Sequence, residues 1–213
     1  MADTLYYSPG AASLALHWML IEIGEPFEAI KVDIDKGEQK APAYLRINPA
    51  GLIPALVVDG VAHNEVAAML MLVAERDPER RFDAPAGDLR RAAYLQRMIY
   101  LANTLQPAFR SWFYPDEPAG PANRDAITML AKARIETAFA RLNETLADGR
   151  AWLLGDRRTA VDFLLVMLCR WSRNMPKPAT AWPHIRAYVE RARSVPALVE
   201  VHRREGLTDW IDG

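Results

Sequence analysis

Apolar and polar positions change period several times along the chain. Thr4-Leu5-Tyr6-Tyr7 is short, aromatic and strand-like, and Ser8-Pro9-Gly10 breaks it as a turn. From Ser13 the spacing turns helical through Leu14, Leu16, Trp18, Leu20 and Ile21, with Gly24 as the stop. Phe27 to Val32 alternates and predicts a second strand. Asp33 to Ala41 is polar and predicts a loop, and Ala43 to Ile47 predicts a short helix. Ala55–Val58 and Val61–His63 flank Asp59-Gly60, a strong hairpin signal. Glu65 to Arg76 is helical again. The order β-α-β-α-β-β-α follows, with the early strands parallel across a helical crossover and the last two antiparallel. A small mixed sheet with helices on its faces is the simplest outcome.

Asp77 to Gly87 is rich in Pro, Arg, Asp and Gly and reads as a linker. The expected division is therefore 1–80 for the sheet domain, 81–87 for the linker and 88–213 for an all-helical domain. Asp88 to about Gln106 predicts a long helix that Pro107 ends or kinks. Ser111 to Pro121 is aromatic and proline-rich and predicts an irregular segment. Ile127, Leu130, Arg134, Ala138, Leu142 and Leu146 recur at helical spacing, with Gly149 as the stop. Thr159 to Trp171 is too apolar for a surface helix, and Thr159-Ala160-Val161-Asp162 spells a capping box at its start. Pro183 and Pro196 each suit the first turn of a further helix, running to Ser194 and Gly206.

Composition narrows the partners more than the fold. The chain has 213 residues, 51% hydrophobic and 25% charged, with net charge -1. It has no polybasic tract, so nucleic acid is not an expected partner. The most apolar stretch, Ala160 to Cys169, contains Asp162 and is too short to span a bilayer, so no membrane is expected. Cys169 is the only cysteine, which excludes an intrachain disulfide and fits a cytoplasmic protein. His17, His63, His184 and His202 lack the spacing of a metal site, and no metal is expected.

Asn48-Pro49-Ala50-Gly51-Leu52-Ile53-Pro54-Ala55-Leu56-Val57-Val58 is the stretch with the most chemistry. It opens as a turn and becomes a buried strand. Proline cannot donate to a sheet ladder, so Pro54 belongs at the first position of that strand. Two readings are open on these residues alone: a trans proline that starts a strand, or a cis Ile53-Pro54 bend. The bend would leave the Ile53 N–H and C=O facing outward, available to an extended peptide.

Three blocks together carry a resemblance. They are Tyr6-Tyr7-Ser8-Pro9-Gly10-Ala11-Ala12-Ser13, the Asn48 to Leu56 block followed by Asn64-Glu65-Val66-Ala67, and Leu153-Leu154-Gly155-Asp156 with Thr159 to Asp162. In this order and spacing they resemble the glutathione S-transferase superfamily, most closely its bacterial beta class, from Leu5 to Leu207. The resemblance implies a thioredoxin-like N-terminal domain followed by an all-helical C-terminal domain, a homodimer, and glutathione bound in a cleft. It also implies the cis form of Ile53-Pro54. Glutathione is a small acidic peptide. Its cysteinyl part would pair with the Ile53 backbone beside Pro54, and its γ-glutamyl carboxylate would meet the helix N-terminus at Glu65 and Val66. Glu65 would accept from the γ-glutamyl ammonium.

The chain departs from the resemblance at its reactive end. The beta class resembles Pro-Gly-Ala-Cys-Ser where this chain has Ala12, so mixed-disulfide chemistry there is excluded. Ser13 and Tyr7 are the remaining hydroxyls that could donate to a glutathione thiolate. Ser13 has a second reading as a helix cap, and Tyr7 one as packing. Val66 replaces a serine whose hydroxyl binds the γ-glutamyl carboxylate in the family. Gln106 replaces a histidine, so it hydrogen-bonds without titrating. Asn103 lies beside it in the sequence as a further glutathione contact. Arg110, Trp112, Phe113 and Tyr114 are the candidates for an electrophile pocket.

The expected function is conjugation of the glutathione thiolate to small, hydrophobic electrophiles, a detoxification chemistry with glutathione as co-substrate. Two alternatives stand beside it: a catalytically weak or inactive binding protein of the same fold, and a narrow glutathione-dependent isomerase or dehalogenase.

Overall fold

The computed structural model describes residues 2–211. The chain divides into two compact units. The first takes the residues up to Asp83 together with those from Arg193 onward, and the second runs from Ala84 to Ala192.

The first unit contains β1 (Asp3–Tyr7), α1 (Ser13–Ile23), β2 (Phe27–Lys31), α2 (Pro42–Leu45), β3 (Ala55–Val58), β4 (Val61–His63) and α3 (Val66–Arg76). The strands form one four-stranded sheet in the order β2-β1-β3-β4. β1 and β2 are parallel, while β1–β3 and β3–β4 are antiparallel. This is the mixed sheet expected from the pattern, in the thioredoxin-like arrangement that the resemblance implies. The α1 crossover is apolar on nearly every side, and Leu14, Ala15, Leu16, Trp18 and Met19 are buried. Gly24 ends it in the left-handed region at φ 84, accepting no side-chain penalty there. The Ile53-Pro54 peptide bond is cis.

The last helix departs from expectation. α9 (Pro196–Glu205) was expected with the all-helical half, yet it packs against α1 and belongs to the first unit. It buries Leu198, Val201, His202 and Glu205. Periodicity shows that a helix has an apolar face; it does not show which neighbour covers that face. The other division falls between Asp83 and Ala84, inside the 81–87 segment expected as linker.

The second unit contains α4 (Arg91–Tyr100), α5 (Gln106–Phe113), α6 (Arg124–Thr145), α7 (Ala160–Trp171) and α8 (Pro183–Arg193, whose last residue falls past the division). Pro107 does not end the helical path. Leu101–Leu105 winds as a π-helix, with the Gln106 N–H bonded to the Leu101 carbonyl, and α5 continues beyond it. Proline lacks an N–H, so it is tolerated where the wider turn releases the preceding ladder. Ser111, Trp112 and Phe113 are consequently helical, against the expected irregular segment, which begins only at Tyr114. α7 is the core of this unit, with every residue from Ala160 to Arg170 buried. Its capping box is formed as the sequence spells it. No helix among the described residues is long and apolar enough to cross a membrane.

Candidate functional site

Sheet topology gathers three loops at one end. β1 runs toward Tyr7, and β3 starts at Ala55, paired opposite Tyr6. β4 runs back and ends at His63, paired opposite Leu56. The β1–α1 loop, the Leu52–Pro54 segment and the Asn64–Glu65 entry to α3 therefore emerge together. Tyr7, Ala12, Ser13, Ile53, Pro54, Glu65 and Val66 all lie in these three segments.

The middle segment is anchored one residue before the bend. The Leu52 carbonyl accepts from the Tyr44 hydroxyl and from Asn48 Nδ2, each at 2.7 Å. Asn48 Oδ1 also accepts from the Ala50 N–H at 3.1 Å, closing the turn that the sequence announces. The Ile53 N–H and C=O have no hydrogen-bond partner among the described residues. Pro54 is buried and Ile53 half-buried. An extended peptide could use both Ile53 groups without displacing an internal bond.

Glu65 is the N-cap of α3, not its first helical residue. It sits at φ 65 and ψ 100, and its exposed side chain makes no capping bond. That conformation is costly for a residue with a Cβ, and such positions concentrate at functional sites. The N–H groups of Val66, Ala67 and Ala68 have no hydrogen-bond partner among the described residues. With the macrodipole they favour an anion. Val66 is 4% exposed, so its side chain packs inward while its amide remains at the helix start.

The β1–α1 loop corrects the expectation for Ser13. Its side chain is fully buried, and its hydroxyl donates to the Ser8 carbonyl at 3.1 Å while accepting from the Ser8 N–H at 3.2 Å. A hydroxyl has one proton, and here Ser8 takes it. Nor does Ser13 cap α1, whose N-cap is Ala12 with no side-chain bond. The backbone N–H groups of Ala12 and Ser13 are without partners among the described residues. Tyr7 is half-buried, its ring 5.0 Å from the His17 ring. Burial, and then the charge of Glu205, push its phenol up from the ordinary value.

The remaining candidates lie in the second unit. Asn103 is exposed within the π-helix and Gln106 half-buried at the start of α5. Arg110 is not a solitary cation: Glu117 takes it in two bonds at 2.7 and 2.6 Å, and its guanidinium lies 4.4 Å from the Tyr114 ring. Phe113 packs on Trp171 at 5.7 Å and Phe109 at 6.0 Å. Trp112 is half-buried, and Phe113 and Tyr114 are each 45% exposed. An aromatic surface is present on α5, with Arg110 already neutralised beside it.

The glutathione S-transferase N-terminal domain matches residues 11–76, and the C-terminal domain of the same family matches residues 121–191. The chain belongs to the glutathione S-transferase family. It is 31% identical over 205 residues to glutathione S-transferase GstA of Escherichia coli O157:H7, covering 95% of this chain and 98% of that one. Among solved structures it is similar to a sphingomonad glutathione S-transferase complexed with glutathione, at 32% identity and a TM-score of 0.83, covering 96% of this chain and all of the other. It is also similar to a bacterial beta class glutathione S-transferase of Sphingomonas chungbukensis, at 28% identity, a TM-score of 0.84 and 96% coverage of this chain. The family match supplies the thioredoxin-like and helical halves that the pattern and the resemblance predicted.

Sequence reasoning missed Glu205 and His17. Glu205 Oε2 accepts from the Gly10 N–H, and Oε1 bonds His17 Nδ1, both at 2.8 Å. A lone Glu at a helix end and a lone His in an apolar helix give no local signal. Their separation of 188 residues hides the pairing from any motif.

Proposed function

We propose that this glutathione S-transferase family member binds glutathione at the three-loop end of its sheet and directs the thiolate at small electrophiles. The carrying observation is the set of unpaired backbone groups there: the Ile53 N–H and C=O and the α3 amides beside Glu65. The cysteinyl backbone would pair with Ile53 beside Pro54. The γ-glutamyl carboxylate would take the Val66 and Ala67 amides, and its ammonium would donate to Glu65.

The thiol would ionise to solvent beside the start of α1. The Ala12 and Ser13 amides and the helix dipole would stabilise its charge in place of the Ser13 hydroxyl. Tyr7 is the other donor in reach of this role. The thiolate sulfur then forms a bond to an electrophilic carbon as a halide leaves, or adds to an activated double bond. Asn103 and Gln106 are proposed as further glutathione contacts, and Trp112, Phe113 and Tyr114 as an apolar wall for the electrophile. A homodimer is proposed, because Ile99, Met129 and Leu130 leave large apolar groups exposed on α4 and α6. A cytoplasmic detoxification role completes the reading.

The test mixes the protein with glutathione and a chloronitrobenzene and follows the thioether. Turnover is expected, and Glu65→Ala is expected to raise the glutathione KM by about tenfold, the cost of one charge-assisted bond. A specific observation favours a second reading, a binding protein of weak activity: Ala12 lacks a reactive atom, and the Ser13 hydroxyl is turned inward. No turnover together with no glutathione-dependent rise in melting temperature would establish that alternative.

A further inference from the structure

Gln106, Arg110 and Phe113 follow one another at helical spacing along one face of α5. A cation therefore stands one turn from a proposed glutathione contact and one turn from the proposed aromatic wall. Phe113 stacks on buried Phe109 at 6.0 Å and makes a T-shaped contact with Trp171 at 5.7 Å, yet the ring stays exposed. A free guanidinium beside such a ring would anchor an aromatic co-substrate that carries a carboxylate, because its planar fork matches one.

Glu117 has taken that anchor. Arg110 Nε donates to Glu117 Oε2 at 2.7 Å and Nη2 to Oε1 at 2.6 Å, so one edge of the fork is filled. The guanidinium also lies over the Tyr114 ring at 4.4 Å. Its Nη1 has no hydrogen-bond partner among the described residues. Glu117 is held in place by its own turn. Its N–H donates to the Tyr114 carbonyl at 3.2 Å, the Gly120 N–H to the Asp116 carbonyl at 2.8 Å, and Asn123 Nδ2 to the Ala119 carbonyl at 2.9 Å. Arg124 pairs with the neighbouring Asp116, so Arg110 and Arg124 each meet one carboxylate. Exposed ion pairs stabilise a fold little. This one bears more on the charge that the aromatic wall presents than on whether the loop folds.

We propose that Glu117, acting through Arg110, sets the charge specificity of the electrophile site: it admits uncharged aromatic electrophiles and gives carboxylate-bearing ones no anchor. This rests on the reading of Trp112, Phe113 and Tyr114 as the electrophile wall. A carboxylate that approaches Nη1 meets a cation already matched and a second carboxylate behind it, so attraction and repulsion offset. Specificity is a difference between two affinities, and here one side chain controls the difference. Glu117→Gln leaves Arg110 as an unbalanced cation, whereas Arg110→Gln leaves Glu117 as an unbalanced anion. The two substitutions therefore push the preference in opposite directions.

The probes are a chloronitrobenzoate and the matching chloronitrobenzamide, which differ only in the charged group. In both, the glutathione sulfur bonds to the ring carbon that bears chlorine, and chloride departs with the electron pair. The readout is the ratio of kcat/KM, benzoate over benzamide, each corrected for its uncatalysed rate. The unchanged protein is expected to favour the benzamide, and a preference for the benzoate overturns the proposal. Glu117→Gln is expected to raise the ratio about tenfold, and Arg110→Gln to lower it about threefold. Combining the two should bring the ratio back to within about twofold of the unchanged protein. A pair needed only to fold the loop would change both substrates alike and leave the ratio where it was. A ratio unmoved by Glu117→Gln overturns the proposal, as does a gain that survives in the double variant. Should Glu117→Gln fail to fold, Arg110→Gln decides alone, and an unmoved or raised ratio overturns the proposal. Turnover of neither probe by the unchanged protein removes the functional reading and this proposal with it; turnover with unmoved ratios removes only this proposal.

Discussion

Tyr188 donates its hydroxyl to the Asp162 carboxylate at 2.9 Å, with both side chains sealed inside the second unit. The same carboxylate accepts from the Leu153 N–H at 2.8 Å, the Thr159 N–H at 2.8 Å and the Thr159 hydroxyl at 3.2 Å. One side chain therefore satisfies the start of α7, the preceding loop and α8. Asp162→Ala leaves these donors buried and unpaired, and a loss of about 3 kcal/mol or more in denaturant unfolding is expected. Tyr188→Phe removes one donor from a carboxylate that keeps the others, and about 1–2 kcal/mol is expected. Equal effects of the two substitutions would contradict this account.

Tyr44 and Asn48 share the Leu52 carbonyl, so they hold the segment that precedes Ile53. Tyr44→Phe should cost about 0.5–1.5 kcal/mol, since Asn48 still donates. Burial pushes the Tyr44 phenol up from 10.0 to about 12. A group raised on folding stabilises fully below its unfolded value and loses that contribution as pH rises through the folded one. The unchanged protein should therefore lose stability more steeply than Tyr44→Phe as pH climbs from about 10 toward about 12. Melting temperatures measured across that window check it.

Gly51 combines a φ of 59 with a crowded flank. A Cβ there would lie 2.8 Å from Lys40 Nζ and 2.9 Å from the Gln39 carbonyl oxygen. The lysine end can swing away, but the Gln39 backbone cannot. Gly51→Ala should destabilise by about 1–3 kcal/mol. It should also raise the glutathione KM, because the turn sets the line of Leu52 and Ile53. Chemical denaturation and kinetics on the same preparation test both effects.

The acid limb of stability should carry a surface signature. Arg90 holds Asp88 at about 2, Arg150 holds Asp148 at about 2, and Arg203 with Arg204 holds Glu200 at about 2. Their ordinary values are 3.8, 3.8 and 4.5. Groups depressed on folding stabilise above the unfolded value and lose that contribution as pH falls through the folded one. Melting temperature should drop as pH falls from about 4.5 to about 2. These pairs are exposed, so the drop should be modest and should flatten in high salt. A slope indifferent to salt would assign the acid limb to buried groups instead.

Much of the architecture was legible because it is local. The aromatic, strand-like Thr4–Tyr7, the alternation from Phe27 to Val32, the Asp59-Gly60 hairpin, the helical spacing after Ser13 and the Thr159–Asp162 box all act through neighbours in sequence. Pro107 is ambiguous in the sequence for a related reason. A proline announces a lost N–H, but whether the helix stops or widens into a π-turn depends on what packs around it. The Asn48–Pro54 segment announced its turn and its strand start, and left the Ile53-Pro54 isomer open until the resemblance was applied.

What the chain settled by itself was periodicity: which segments are strands or helices, which faces are apolar, and which turns glycine and proline enforce. What the folded molecule alone decided was pairing at a distance. That α9 covers α1, that Glu205 reaches Gly10 and His17, and that the Ser13 proton is spent on Ser8 depend on which surfaces meet. Hydrophobic faces are interchangeable in sequence and unique only once packed, and a buried charge finds its donors only after that packing exists.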